Sequence, residues 1–473
     1  MGYKHLDWWP NNKPYLVGDS LDKLKVLPDK KVHMSVFSPP YFGLRDYGVE
    51  PIKWPEIRFI PLPGMNSVVI AEQDCCLGLE YDVMSFIGHM VYILRELKRV
   101  LRNDGTVWLN IGDSYNAAGR VGHGSRVGYK QGTNRASAVG QDDCRPSVNY
   151  LKQKDLLGIP WRLAFALQAD GWYLRSDIIW KKLNPMPESV TDRPTNCHEH
   201  IFLLAKSPRY FYDAEAIKVP FESSNPNSDS YRKNGKSDSR KKHLDVDGIK
   251  PGFSNTGMWQ PDDNGRNKRD VWSITTRPFK GAHFACFPPE LPEICIKAGT
   301  SEKGCCPECG KPWNRLVDKS RMVDGEKTIT SGWEQDDAGR IGAQGVGHWR
   351  ITTESSTIGW VPGCDCCGVE IISNPPKKPG ENSKNYKSKL KKYEKEIKIW
   401  NGKWSELEPA YEKLFVVPCI ILDPFAGSGT TMVVAEKLKR IGLGIDCNPT
   451  LKTHYRNRKA GKDVSNIKSL EDY

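Results

Sequence analysis

The stretch Asp423-Pro424-Phe425-Ala426-Gly427-Ser428-Gly429-Thr430-Thr431 follows an apolar run, 416–422, and leads into a helical pattern that begins at Thr430. A strand, a glycine-rich turn and a helix in this order bring the backbone close to a nucleotide-like ligand. The turn lacks the Gly-Lys-Ser/Thr of a phosphate-binding loop and the three-glycine spacing of a dinucleotide site. A second apolar run, 442–445, ends in Asp446, whose carboxylate is placed to accept hydrogen bonds from ribose hydroxyls. The pattern predicts an α/β sheet with a nucleotide-like ligand at its strand ends.

A second motif, Ser38-Pro39-Pro40-Tyr41, lies near the other end of the chain and follows the apolar run 32–37. Two prolines offer no backbone N–H to a ladder, so they end the strand that this run predicts. Ser38 and the Pro39 carbonyl then become fixed acceptors at a strand end, with the flat ring of Tyr41 beside them. This arrangement suits a planar group that carries an exocyclic amine, such as a nucleobase. An ordinary Pro-Pro turn is the alternative.

Between the two motifs, apolar periodicity predicts further strands and helices of an α/β domain. Asp19, after the first strand, either caps the next helix or faces a ligand. The proline-rich segment 49–78 predicts an irregular insertion, and 115–148 a long loop. The strands are expected at 15–17, 106–111, 173–180 and 200–204, and the helices at 21–27, 82–101, 159–169 and 288–298.

Composition indicates a soluble globular protein of two or three structural units. The chain has 473 residues, with 38% hydrophobic and 27% charged residues. The formal net charge of +12 suggests a polyanionic partner or, alternatively, surplus surface lysine. No apolar run approaches membrane-spanning length and no signal sequence is evident, so a cytoplasmic protein without membrane contact is expected. The fourteen cysteines are then thiols or metal ligands rather than disulfides.

Three later segments depart from the α/β pattern. Residues 220–268 are polar and basic, which fits either a solvated loop or a nucleic-acid contact. Residues 305–367 hold six of the cysteines, and residues 375–415 are rich in lysine, with an exposed helix expected around 384–398. Two close cysteine pairs suit a tetrahedral structural zinc site, although their separation exceeds that of common zinc ribbons and unligated cysteines are the alternative. The expected ligands are Cys306, Cys309, Cys364 and Cys366, with Cys367 or Cys305 as alternatives.

The two motifs together resemble those of amino-group DNA methyltransferases. Asp423 to Thr430 is similar to the S-adenosylmethionine motif of that family, and Ser38-Pro39-Pro40-Tyr41 to its catalytic motif. Their order is similar to the β arrangement, a circular permutation of a Rossmann-like fold with a mostly parallel sheet. The resemblance also covers Tyr41 to Gly48, the end of the strand at 112–114, residues 180–189 and His283-Phe284-Ala285.

The resemblance implies a role for each matching position. Phe425, Gly427 and Gly429 would lie along the cofactor, Asp446 would hold its ribose, and Asp19 would reach its adenine. Ser38 and the Pro39 carbonyl would accept hydrogen bonds from the target amine, and Tyr41 would stack on the extruded base. The remaining motif residues implied to form these two sites are Pro40, Asp423, Pro424, Ala426, Ser428 and Thr430.

The resemblance also implies an organisation along the chain, with two halves of the methyltransferase domain separated by insertions. The implied segments are a catalytic half at 1–219, a target-recognition insertion at 220–270, a return to the core at 271–300, a zinc-knuckle insertion at 301–370, a lysine-rich insertion at 371–415 and a cofactor half at 416–473.

The implied activity is methyl transfer to a base in double-stranded DNA. Serine as the first residue of the catalytic motif is typical of family members that act on cytosine N4. Adenine N6 is the alternative, and a catalytically silent, zinc-bearing DNA-binding protein is a third hypothesis. RNA as a substrate and a cognate restriction endonuclease as a partner are left open, as is a bacterial or a phage origin.

Overall fold

The computed structural model describes residues 6–10, 13–43, 49–116, 150–219, 266–277, 287–324, 333–335, 341–343, 350–379 and 385–460. The chain divides into two compact units. The core unit comprises Met1–Ala216, Arg269–Trp313 and Phe415–Tyr473, and the insert unit comprises Ile217–Lys268 and Asn314–Leu414.

The elements are numbered along the whole chain. The strands are β1 (Tyr15–Val17), β2 (Val32–Phe37), β3 (Ile52–Trp54), β4 (Ile57–Phe59), β5 (Val68–Ile70), β6 (Gln73–Cys75), β7 (Leu101–Ile111), β8 (Tyr173–Lys182), β9 (His198–Ala205), β10 (Val271–Ile274), β11 (Asn314–Asp324), β12 (Trp333–Gln335), β13 (Ile341–Ala343), β14 (Arg350–Val361), β15 (Ile420–Asp423) and β16 (Ile441–Asp446). The helices are α1 (Ser20–Lys25), α2 (Val83–Val100), α3 (Ile159–Ala169), α4 (Glu290–Gly299), α5 (Tyr386–Lys413), α6 (Thr430–Lys437) and α7 (Pro449–Lys459).

An eight-stranded sheet in the order β1-β16-β15-β2-β7-β9-β8-β10 forms the centre of the core unit. Within the described residues only β9 runs against its neighbours, β7 and β8, and all other pairs are parallel. The two motif strands are neighbours, because Met34 pairs with Ile421 and Ser35 with Leu422. The predicted α/β fold with a mostly parallel sheet is confirmed.

Helices cover both faces of this sheet. Helices α1, α2 and α3 pack together over one face, and α4 packs with α6. Side chains alternate along β7, so Leu109 enters the buried cluster with α2, whereas Trp108 lies beside Gly299 of α4. Helix α2 begins where the Asp82 side chain accepts hydrogen bonds from the backbone N–H groups of the first turn. The sheet is therefore buried on both sides, and polar groups that face a ligand are expected at its strand ends.

The prolines of 49–78 predicted an irregular insertion, and this prediction is wrong. It forms two antiparallel strand pairs, β3 with β6 and β4 with β5, and buries Trp54, Ile57 and Phe59. Prolines exclude long helices, but they leave room for strands of three residues between them. Trp54 stacks on His89 of α2, with ring centroids 3.9 Å apart. His89 Nδ1 also lies 2.9 Å from Glu80 Oε1 inside the protein, so the insertion is anchored to α2.

The insert unit contains a long antiparallel hairpin, β11 with β14, and the helix α5. The predicted helix around 384–398 is present but continues to Lys413. Gly402 and Pro409, which disfavour a helix interior, concealed its second half. There, Trp400 Nε1 donates to the Ser373 carbonyl at 2.8 Å, and Trp404 packs beside Gly359 of β14.

Several predicted segments lie largely or wholly outside the described residues. They are the recognition segment 220–270, the loop 115–148 and His283-Phe284-Ala285. Within the described part of the chain, no helix combines the length and apolarity that a membrane crossing requires.

Candidate functional site

A cavity of about 840 Å³ lies at the strand ends of the core unit. Both sequence motifs line it: Ser38, Pro39, Pro40 and Tyr41 at one end, and Phe425 and Asp446 at the other. The rings of Phe37 and Phe425 lie 5.6 Å apart beside it, because β2 and β15 are neighbours. The fold thus brings residues from opposite ends of the chain into one cleft.

The glycine-rich turn is held from both sides. Gly429 opens α6 with φ 76°, and a Cβ there would lie 2.7 Å from Tyr455 of α7. The Tyr15 hydroxyl donates to the Gly427 carbonyl at 2.8 Å. Arg458 of α7 donates to the Ser428 hydroxyl at 2.9 Å. Tyr15, Tyr455 and Arg458 could not be recognised from the sequence, because only the packing of β1 and α7 around the turn shows their role.

Three of the predicted cofactor residues line the cavity: Asp19, Phe425 and Asp446. Asp19 also caps α1, accepting from the backbone N–H groups of Leu21 and Asp22, so its two predicted roles are compatible. Asp446 Oδ2 accepts from the Gly427 N–H at 2.8 Å, which ties the end of β16 to the turn.

Asp423 behaves differently from these three residues. It is buried, and its carboxylate accepts from the Thr431 hydroxyl at 2.6 Å and from the Phe425 N–H at 2.9 Å. Asp423 therefore holds the turn in shape. Pro424, Ala426, Gly427, Ser428, Gly429 and Thr430 form the same turn behind Phe425 and are not among the residues that line the described cavity.

Burial dominates the electrostatics at this end of the cavity. It raises the pKa of Asp423 to about 7, although two hydrogen bonds to the carboxylate act in the opposite direction. Burial also raises the pKa of Asp446 and of Asp19. Carboxyl groups at a cavity wall suit a ligand that offers hydroxyl donors and a positive charge, as S-adenosylmethionine does.

At the other end, five side chains form a hydrogen-bond network. Tyr41 Oη donates to Glu199 Oε2 at 2.7 Å, and Ser38 Oγ lies 3.1 Å from Tyr41 Oη. Asn110 Nδ2 donates to the same Glu199 oxygen at 2.8 Å, and Lys182 Nζ donates to the other at 2.5 Å. Asn110, Lys182 and Glu199 were not predicted from the sequence as site residues. The sequence offered one signal, a glutamate between two histidines immediately before the apolar part of β9.

Two further details shape the environment of Tyr41. A Cβ at Gly112 would lie 2.8 Å from Tyr41 Cε2, so only glycine leaves room for the ring at that position. Asn110 is buried and lines the cavity, and its Oδ1 has no hydrogen-bond partner among the described residues. An unsatisfied buried acceptor is costly, and an amine donor from a ligand would satisfy it.

The loop 184–187 supplies another wall of the cavity. Asn184 exchanges hydrogen bonds with the backbone of Thr276, donating to its carbonyl at 3.0 Å and accepting from its N–H at 2.8 Å. Pro185, Met186 and Pro187 come next, and Met186 is largely exposed. An anchored, stiff loop with an exposed apolar side chain can contact a flat ligand without reorganising.

The predicted zinc ligands occur as two pairs, each in a tight turn of its own unit. In the core unit, the Gly310 N–H donates to the Cys306 carbonyl at 2.9 Å, and Gly310 has φ 70°. In the insert unit, the turn at Cys364 closes when the Gly368 N–H donates to the Asp365 carbonyl at 3.1 Å, with φ 64° at Gly368. Cys305 is buried, and its thiol lies 3.3 Å from the Val417 carbonyl. Each pair of cysteines thus lies in a tight turn, as a zinc knuckle requires.

The chain is similar to known DNA methylases. The family described as DNA methylase, that of the N6 and N4 methyltransferases, matches residues 32–306 and 419–456. The type II methyltransferase M.Cfr9I of Citrobacter freundii is 42% identical over 61% of this chain and 73% of that protein. M.XycI of Xanthomonas campestris pv. cyanopsidis is 43% identical over 60% and 71%, and M.SmaI of Serratia marcescens 38% over 61% and 76%.

The raised pKa of Asp423 predicts a pH-dependent stability that Asp423→Asn removes. The folded pKa of about 7 exceeds the unfolded value of about 3.9, so the folded state holds its proton more tightly. The stability of the ligand-free protein should therefore fall as pH rises from about 4 to 7. The free energy of unfolding of Asp423→Asn, measured in urea, should rise by about 2–4 kcal/mol relative to that of wild type between pH 4 and pH 8.

The control for this experiment is Asp74→Asn, which removes an exposed carboxylate of the same unit. It should leave the pH dependence of wild type unchanged. An Asp423→Asn protein with the same pH profile as wild type would show that the carboxyl is ionised at little cost in the folded state.

Proposed function

Because the chain belongs to the DNA methylase family of N6 and N4 methyltransferases, we propose that it transfers a methyl group from S-adenosylmethionine to the N4 amine of cytosine in double-stranded DNA. The observation that carries this proposal is the cavity shared by Ser38-Pro39-Pro40-Tyr41 and by Phe425 and Asp446. A protein that only bound DNA would not need the catalytic motif and the cofactor motif in one cleft. The catalytically silent alternative is therefore disfavoured.

The residues at the β15 end fit the methyl donor. Asp446 would accept hydrogen bonds from the ribose hydroxyls with the oxygen lone pairs that its backbone contacts leave available. Phe425 would pack against the cofactor, and Asp19 would reach the adenine from the end of β1. When bound, S-adenosylmethionine supplies a methyl group on a positively charged sulfur, which is a good leaving group.

The residues at the β2 end fit the acceptor. An exocyclic amine on a base is a weak nucleophile, because its lone pair is delocalised into the ring. Ser38 Oγ and the Pro39 carbonyl would accept its two hydrogens, favour a pyramidal nitrogen and direct the lone pair towards the methyl group. Tyr41 would stack on the base. Positioning and fixed dipoles then provide most of the rate enhancement.

The choice of cytosine rests on Ser38. Serine at this position is typical of the N4 methyltransferases that the sequence resembles, whereas aspartate or asparagine accompanies adenine N6. Asn110, which lies beside Ser38 in the same network, is the observation that keeps adenine N6 as the second candidate. Both reactions belong to the matched family.

The target base must leave the duplex to enter the cavity, which costs roughly a few kcal/mol. Phosphate contacts by the basic segment 220–270 would offset this cost, and DNA binding should then weaken steeply with salt. We also propose that the chain protects DNA against a cognate restriction endonuclease, as the designation type II of its relatives suggests.

The test is to methylate unmodified bacterial genomic DNA with the purified protein and then to sequence the product for modified bases. We expect N4-methylcytosine in one short sequence context. Ser38→Ala should lower turnover by about 10²–10³-fold, because it removes one of two acceptors for the amine, and it should leave S-adenosylmethionine affinity within about twofold. Methylation confined to adenine would contradict the cytosine assignment, and equal loss of turnover and cofactor affinity would make Ser38 structural.

A structural zinc ion is the second part of the proposal. The supporting observations are the spacing of the cysteine pairs and the glycine-closed turn around each of them. We expect one zinc per chain by elemental analysis, lost in Cys306→Ser and in Cys366→Ser. Cys197→Ser, which changes the cysteine immediately before β9, should retain it.

The same measurement on Cys367→Ser identifies the fourth ligand. Retention of zinc in Cys367→Ser supports Cys366, whereas its loss there and retention in Cys366→Ser would assign Cys367. A wild-type protein purified without chelators that holds no zinc would contradict the site.

A further inference from the structure

In the hydrogen-bond network around Tyr41, the donor and the acceptor of each bond can be assigned. A carboxylate has no hydrogen to donate, so the hydrogen in the bond of 2.7 Å between Tyr41 and Glu199 belongs to the tyrosine. The tyrosine hydroxyl has only this one hydrogen. Every other hydrogen bond to Tyr41 Oη must therefore be donated to it.

This direction makes Ser38 a hydrogen-bond donor to Tyr41. Its hydroxyl lies 3.1 Å from Tyr41 Oη and is the donor in that bond. A serine hydroxyl can otherwise rotate to donate or accept. With its hydrogen committed to Tyr41, the lone pairs of Ser38 Oγ remain for the amine of the base.

Asn110 and Lys182 keep Glu199 in place. Asn110 Nδ2 donates to Glu199 Oε2 at 2.8 Å and to Tyr41 Oη at 3.0 Å, which reinforces the same direction. Lys182 Nζ donates to Glu199 Oε1 at 2.5 Å, and the two side chains are only 25% and 13% exposed. Shielding from water strengthens this charge-assisted hydrogen bond.

We propose that Glu199 is a positioning residue for methyl transfer, and that it sets Ser38 as the acceptor of the base amine through Tyr41. This inference rests on the proposed function. It also assigns a path for the proton that the reaction releases: from the methylated nitrogen to Ser38, from Ser38 to Tyr41, and from Tyr41 to Glu199.

The transfer step balances along this path. The amine lone pair forms a bond to the methyl carbon while the carbon–sulfur bond breaks, and its electron pair remains on sulfur as a neutral thioether. The methylated nitrogen passes a proton to Ser38 Oγ, Ser38 passes its own to Tyr41 Oη, and Tyr41 passes its own to Glu199. Glu199 ends as a carboxylic acid and returns the proton to water after product release. No oxidant or further reactant is needed.

A purely structural role would be different. Glu199 would then only hold Lys182 and Asn110 in place, and its loss would lower the rate by an amount independent of the tyrosine hydroxyl. The two roles are separable, because Tyr41→Phe keeps the ring and removes the hydroxyl through which Glu199 reaches Ser38.

The experiment is a double-mutant cycle of Glu199→Gln and Tyr41→Phe, measured as the single-turnover rate on a duplex that contains the mapped methylation site. Each single change should lower the rate by about 10- to 1,000-fold and leave S-adenosylmethionine affinity within about twofold. The double variant should lie within about threefold of Tyr41→Phe, because residues that act through one another are not additive.

Glu293→Gln is the matched control, since it removes another glutamate paired with a lysine, at 2.6 Å in α4. It should keep the wild-type rate. A wild-type rate in Glu199→Gln, or losses that multiply in the double variant, would overturn the proposal. Should Glu199→Gln fail to fold, Tyr41→Phe alone decides, because a wild-type rate in that variant would leave Ser38 independent of Glu199.

Failure of this inference is distinct from failure of the proposed function. In the first case the wild-type protein methylates the duplex and the variants do not follow the cycle. In the second, the wild-type protein transfers no methyl group to an exocyclic amine.

Discussion

The parallel pairing of β2 with β15 is the constraint on which the site depends. Ser35 pairs with Leu422, and the Ser35 hydroxyl donates to the Leu422 carbonyl at 2.6 Å. Parallel neighbours end at the same edge of a sheet, so the segments that leave these two strands must share one space. In the proposed reaction, the segment after β2 would supply the acceptors for the amine, and the segment after β15 would lie along the methyl donor.

Rigidity at the two strand ends makes this pairing useful. Two prolines fix the chain after β2, and the turn after β15 is held by Asp423, by the Tyr15 hydroxyl and by Arg458. A group-transfer reaction that needs no strong base depends on such positioning, because alignment can supply about 7–11 kcal/mol of the barrier. The prolines and the turn fix the backbone, and the network of Glu199, Tyr41 and Ser38 would fix the positions of hydrogen atoms in the same way.

Features that depend on adjacent residues could be predicted from the sequence, whereas features that depend on strand pairing could not. The proline and glycine motifs, and the carboxylate at the end of β16, can be recognised from adjacent residues, and the comparisons confirm the family that they indicated. Glu199 could not be assigned, because its contact with Tyr41 arises only when β9 inserts antiparallel beside β7. The hairpins of 49–78 were missed for a similar reason, since strands of three residues carry too little pattern to be recognised before they pair.

The most direct test is a crystal structure of the protein with S-adenosylhomocysteine, the demethylated product. The sulfur should lie inside the shared cavity, within about 7 Å of Ser38 Oγ, since reacting atoms must approach to about 3–3.5 Å with the base amine between them. The ribose hydroxyls should contact Asp446. A sulfur atom more than about 12 Å from Ser38, or a ligand bound outside this cavity, would contradict the account.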